Sequence, residues 1–121
     1  MNDGTIYVTV AALIELREYR DRTNRSPFRK WFDGLNRDAA VKVTTALRRV
    51  ELGNMSNVRG VGAGVFEYKI HFGNGYRIYF GKQGEEIVIL LGVGTKKSQD
   101  SDIRAARERW EEYRRSENAP D

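Results

Sequence analysis

Lys69, His71, Arg77 and Tyr79 are residues whose types and spacing invite chemistry. They lie in VFEYKIHFGNGYRIYF, residues 65–80, a stretch that alternates. Phe66, Tyr68, Ile70 and Phe72 fall on one side, and Tyr76, Ile78 and Phe80 continue that side after a glycine-rich turn. The other side collects Glu67, Lys69, His71, Arg77 and Tyr79. Such a period of two marks strands with one face buried. Read as a three-residue hairpin loop, Gly73-Asn74-Gly75 offers glycine for the left-handed position and pairs Phe72 with Tyr76. His71 then faces Arg77 and Lys69 faces Tyr79, making a compact square on one sheet surface. An arginine beside the ring favours neutral imidazole, which can accept a proton.

Lys96 and Lys97, in GTKKSQDSD, stand where the last strand hands over to the last helix. They overhang the square if that helix returns beside the hairpin. A basic concave surface with one titratable ring suits an RNA phosphodiester. Attack by the neighbouring 2′-hydroxyl needs a base, an acid for the leaving oxygen, and cations for the charge that grows on phosphorus. Lys69, Arg77 and Lys96 supply cations, and His71 is the acid or base. DNA lacks the 2′-hydroxyl, so the chemistry is confined to RNA. A plainer reading stands beside this one: the outer face of a half-buried sheet is polar by default, and its lysines and arginine are then simply solvated.

Other chemistries find no residues. With no cysteine and one histidine, no Cys/His zinc site can be built. No GxxxxGK[ST] sequence occurs, and the glycines of GVGAG follow a helix and precede a strand, the wrong order for a dinucleotide fingerprint. No metal and no cofactor is expected.

The elements that must position these residues follow from local signals. Leu13 to Tyr19 reads as a first strand. In SPFRKWFDGL, Ser26 caps a helix, Pro27 takes its first position, and Phe28, Trp31, Phe32 and Leu35 form one face. A second helix from about Asp38 to Leu52 carries Ala39, Val43, Ala46, Leu47 and Val50 as its stripe, with Gly53 and Asn54 as stops. Met55 to Gly64 reads as a loop. Strands follow at Val65–Phe72, Tyr76–Phe80 and Glu86–Val93, with KQGE as a turn. EIVILLGV is apolar on both parities and so central. A helix from about Gln99 to Arg115 places Ile103, Ala106, Trp110 and Tyr113 on one face. The order β-α-α-β-β-β-α describes an α+β domain, with a helical hairpin packed on one side of a mainly antiparallel sheet and a C-terminal helix.

The chain's 121 residues suffice for one domain with a real core. Lys+Arg 21 against Asp+Glu 17 gives a net charge of +4, which permits a polyanionic partner without demanding one. No apolar run approaches the roughly 20 residues of a membrane span. The start lacks a basic head before its apolar part, so a cytoplasmic protein without membrane association is expected. Residues 1–11 read as an extension of uncertain role, 12–116 as the domain and 117–121 as a disordered tail.

From about Ile14 onward the chain resembles the RelE/ParE superfamily of bacterial type II toxins, above all the branch of addiction module killer proteins related to HigB-type toxins. SPFRKWFDGL, ELGN, GVFEYKIHFGNGYRIYF and ILLGVGTKKSQDSDI carry the resemblance, in the right order. It implies the same β-α-α-β-β-β-α fold. It also implies a cognate antitoxin, in this branch a small helix-turn-helix DNA-binding protein, and a toxin–antitoxin hetero-oligomer on operator DNA. RelE-like members cut messenger RNA on the ribosome without metal and arrest translation and growth; ParE-like members share the fold but poison DNA gyrase. Lys69 and His71 match the family's two strand lysines, Arg77 its GYR arginine, and Lys96 or Lys97 its second arginine. The tyrosine of its last helix falls near Asp102, where this chain has none, so His71 takes over acid–base work or the activity differs. The resemblance thus implies an mRNA interferase with Lys69, His71, Arg77 and Lys96 as catalytic residues and Lys97, Tyr79 and Gln99 as RNA contacts. A gyrase inhibitor without nuclease activity and an inactive, antitoxin-binding relic remain as alternatives.

Overall fold

The computed structural model describes residues 13–73 and 75–118. The elements run β1 (Glu15–Glu18), α1 (Pro27–Asp33), α2 (Arg37–Glu51), β2 (Val58–Gly62), β3 (Val65–Ile70), β4 (Tyr76–Gln83), β5 (Ile87–Thr95), a 3-10 turn (Lys96–Ser98) and α3 (Gln99–Asn118). Ser26 starts α1 by accepting a hydrogen bond from the Arg29 amide, with Pro27 in the first turn. Asn36 starts α2 in the same way through the Ala39 amide. Both caps satisfy amides that have no partner within the helix.

The strands form one sheet in the order β1-β5-β4-β3-β2. β1 lies parallel to β5, and every other pairing is antiparallel. Helices cover both faces. Against α1 and α2, the strands turn Tyr68, Ile70, Ile78, Phe80, Val88 and Leu90, which close around Phe28, Val43, Ala46 and Val50. Against α3, they turn Val61, Val65, Tyr79, Ile89 and Leu91, which meet Ala106 and Trp110. The last helix approaches closely because glycines lie beneath it. A methyl group on Gly81 would overlap the Trp110 ring, and one on Gly94 would overlap the Asp102 carboxylate.

The architecture is the expected α+β fold with one strand more. Val58–Gly62, inside the segment expected to be a loop, pairs with β3. Gly60 and Gly62 conceal it, and the ladder is irregular between them; glycine in a strand marks such irregularities. The hairpin register also differs from expectation. Ile70 pairs with Tyr76, so Lys69 faces Arg77 and Glu67 faces Tyr79. The connection is five residues, 71–75, tightened by hydrogen bonds from the Phe72 amide to the Ile70 carbonyl and from the Gly75 amide to the Phe72 carbonyl, both 3.0 Å. Partners move by a whole pleat, so every side chain keeps its expected face. Lys82 and Gln83 extend β4, although they read as part of a turn. α3 reaches Asn118 and so takes in positions 117 and 118, which read as tail. Residues 1–11 lie outside the described residues.

Candidate functional site

Two rows of side chains cross the sheet beneath the start of α3. The first is Arg59 on β2, Glu67 on β3 and Tyr79 on β4, paired in register. The second, one pleat away, is Lys69 on β3 and Arg77 on β4, with Gly94 of β5 beyond. β3 places Glu67 and Lys69 on the same side because side chains two apart share a face. β5 is kept in step by an irregularity opposite Tyr79/Phe80, after which Gly92 and Gly94 leave room for Arg109 and Asp102 of α3.

Glu67 is the centre of the first row and is only 2% exposed. Arg59 Nε donates to its Oε1 at 3.0 Å, and Gln99 Nε2, at the start of α3, donates to its Oε2 at 2.9 Å. Arg77 Nε lies 3.7 Å from the same Oε1, close enough for charge attraction and too far for a hydrogen bond. Burial pushes the Glu67 carboxyl up, but the hydrogen bonds from Arg59 and Gln99 outweigh it and hold the group below the usual carboxylate range. Beside it, burial and then the Glu67 charge push the Tyr79 hydroxyl well above its ordinary value.

Arg77 is 4% exposed, so it is no solvated surface arginine. Its Nη1 makes one long bond of 3.4 Å to the Gly75 carbonyl, and its Nε makes no hydrogen bond. Buried donors without acceptors are costly and uncommon. Arg77 edges two adjoining hollows. One, of about 330 Å³, is lined by Lys69, His71, Phe72, Arg77 and Lys96 among others. The other, of about 440 Å³, shares Lys69, His71 and Arg77 and extends to Asn57, Arg59 and Gln99. Lys69, His71 and Lys96 are exposed at the rim.

The four residues read from the sequence as catalytic therefore line one concavity, although His71 does not face Arg77 across the ladder. That pairing was the basis for expecting a neutral ring, and it is not formed. The three residues read as RNA contacts part company. Lys97 is exposed but lines neither hollow. Gln99 lines the second hollow with its amide engaged on Glu67. Tyr79 is 0% exposed and makes no hydrogen bond through its hydroxyl, so no ligand reaches it in this structure. Asp102, at the position of the absent tyrosine, seats over Gly94 and accepts a hydrogen bond from the Ser98 hydroxyl. Glu67 and Arg59 were not singled out from the sequence. The only signal was a carboxylate on the basic side of the alternation.

A larger hollow of about 650 Å³ lies along α3, lined by Ala63, Arg104, Arg107, Glu108, Trp110 and others. Its basic groups are partly spoken for, Arg107 by the Val61 carbonyl and Arg115 by Glu111. It contains no histidine or lysine, so size does not make it the better site. Among the described residues, no three His, Cys, Asp or Glu side chains group as metal ligands, and no helix is long and apolar enough to cross a membrane.

Over 81 residues the chain is 38% identical to an uncharacterized protein of Haemophilus influenzae, a match covering 66% of this chain and 82% of that one. The profile of a phage-derived family matches residues 30–111, a span that contains every residue of the two hollows. The chain thus belongs to the family described as phage-derived Gp49-like proteins (DUF891).

Proposed function

We propose that this Gp49-like chain is the toxin of a type II toxin–antitoxin pair and acts as an endoribonuclease on ribosome-bound messenger RNA. The observation that carries the reading is the convergence of Lys69, His71, Arg77 and Lys96 on one concavity, with the Arg77 Nε buried and without a partner. The resemblance of the GYR-x-YF and GTKK-x-Q motifs to the addiction module killer branch of the RelE/ParE superfamily supports it. RNA phosphate enters between the rim cations. The 2′-hydroxyl oxygen attacks phosphorus, and the bond from phosphorus to the 5′-oxygen breaks. The products are a 2′,3′-cyclic phosphate and a 5′-hydroxyl. His71 moves the proton, removing it from the attacking hydroxyl or returning it to the leaving oxygen. Arg77 and Lys69 meet the charge that develops on the phosphoryl oxygens. Lys96, with Lys97 further out, holds flanking phosphates. The acid–base role falls to His71 because Asp102 occupies the position where RelE-like toxins carry a tyrosine. The partner on this reading is a cognate antitoxin, a helix-turn-helix protein in the HigB-type branch.

The test is to induce the chain without its partner and map messenger RNA ends. New 5′ ends in phase with codons are expected, and they should disappear with His71→Ala, an exposed position where folding is not at stake. Growth arrest with intact messages and altered DNA supercoiling would overturn the nuclease and favour a gyrase poison.

A further inference from the structure

Arg77 raises a physical problem. A guanidinium only 4% exposed should not keep an unpaired Nε unless something fixes it there. Among the described residues, Glu67 is the one carboxylate within ion-pair distance of it. That carboxylate is itself immobilised from two other elements, by Arg59 of β2 on Oε1 and Gln99 of α3 on Oε2. Three separate segments therefore define where one negative charge sits, and that charge defines where Arg77 sits.

We infer that Glu67 is a positioning residue: it sets the Arg77 guanidinium against the concavity and carries no proton itself. The inference rests on the nuclease reading for its activity arm and stands apart from it for its structural arm. The division of partners supports it. Arg59 makes the hydrogen bond that offsets the Glu67 charge, while Arg77 stands at 3.7 Å with its Nε engaged by no hydrogen bond. Every element packed against Glu67 argues against proton transfer through it. Arg59, Arg77 and the Lys69 of its own strand favour the ionised form. Gln99 donates to it, and Tyr79 next to it stays protonated; the Asp102 carboxylate of α3 sits over Gly94. A carboxylate so held is a poor base.

The experiment uses the purified full chain, Glu67→Gln and Glu67→Gln/Arg77→Ala. Glutamine preserves the size of the side chain and one of its two acceptor oxygens, and it removes the charge. Circular dichroism first establishes that each variant is folded. The Arg77 Nε–Hε signal is then followed by NMR, and cleavage of messenger RNA on programmed ribosomes is measured from pH 5 to 9. In the wild type the Nε–Hε signal should be sharp and slow to exchange; in Glu67→Gln it should broaden or exchange rapidly. Cleavage should fall about 100-fold at every pH, with the acid limb of the profile unmoved. The double variant should cleave no more slowly than Arg77→Ala alone. An unchanged Nε–Hε signal would overturn the positioning role. Loss of the acid limb in Glu67→Gln would make Glu67 a proton carrier and overturn the second half of the inference. If the wild type cleaves nothing, the nuclease reading fails, and the Nε–Hε signal still decides whether Glu67 holds Arg77.

Discussion

The two faces of β3 and β4 are made from the same two strands and could hardly differ more. Toward α1 and α2 they present Tyr68, Ile70, Ile78 and Phe80, closed over by apolar helix stripes. Toward α3 they present Glu67, Lys69, Arg77 and Tyr79, with two buried polar atoms that have no partner. The first face follows the rules that make proteins stable: apolar area is removed from water and packed densely. The second breaks several of them, with a buried carboxylate, a buried guanidinium and a silent hydroxyl. Sites with work to do are where such departures collect. One face supplies the surplus of stability that lets the other remain unrelaxed.

The largest expected effect lies on the apolar face. Phe80 is 1% exposed and stacks on Phe66 at a centroid distance of 5.7 Å. Phe80→Ala should cost about 3–5 kcal/mol in urea unfolding, while the protein that remains folded keeps its RNA chemistry. A milder loss that abolished cleavage would break the comparison. At the joint between the second face and α3, Gly81→Ala pushes a methyl group into Trp110. A cost of about 1–3 kcal/mol is expected, with a change in Trp110 fluorescence as the helix shifts outward. The smallest effect on stability belongs to the rim. Lys69→Ala, at an exposed position, should move stability by no more than about 0.5 kcal/mol, yet weaken RNA cleavage measured on the same preparation. Equal loss of both would show that the rim is structural.

How much of this was legible in the sequence differs by face as well. The apolar face was readable because alternation and the helix stripe obey fixed periods, and because Ser26 and Pro27 announce a helix start. Parity also survived the error in the turn: the loop proved to be five residues instead of three, and the pairs slid without any residue changing sides. The charged face was readable only as a list. Lys69, His71, Arg77 and Lys96 were recognisable by type, but nothing local says that Arg77 is buried, since burial depends on segments that arrive from elsewhere in the chain. Glu67 was passed over for the same reason. Its partners Arg59 and Gln99 are 8 and 32 residues away, and Arg59 sits on a strand whose glycines made it look like a loop. Periodicity reports which side a residue faces. It does not report what else arrives there.

The order in which the chain is made adds one consequence of the Gln99 contact. β1 pairs with β5, a partner far along the sequence, and α3 comes last of all. Contacts between distant segments form late, because the loop they close must first lose its freedom. Glu67 receives its Oε2 partner only when α3 docks. A nascent chain can therefore hold the hairpin with Lys69 and Arg77 already paired and still lack a fixed Arg77. On the nuclease reading, the guanidinium of the charged face takes its working place only once α3 has docked across the sheet.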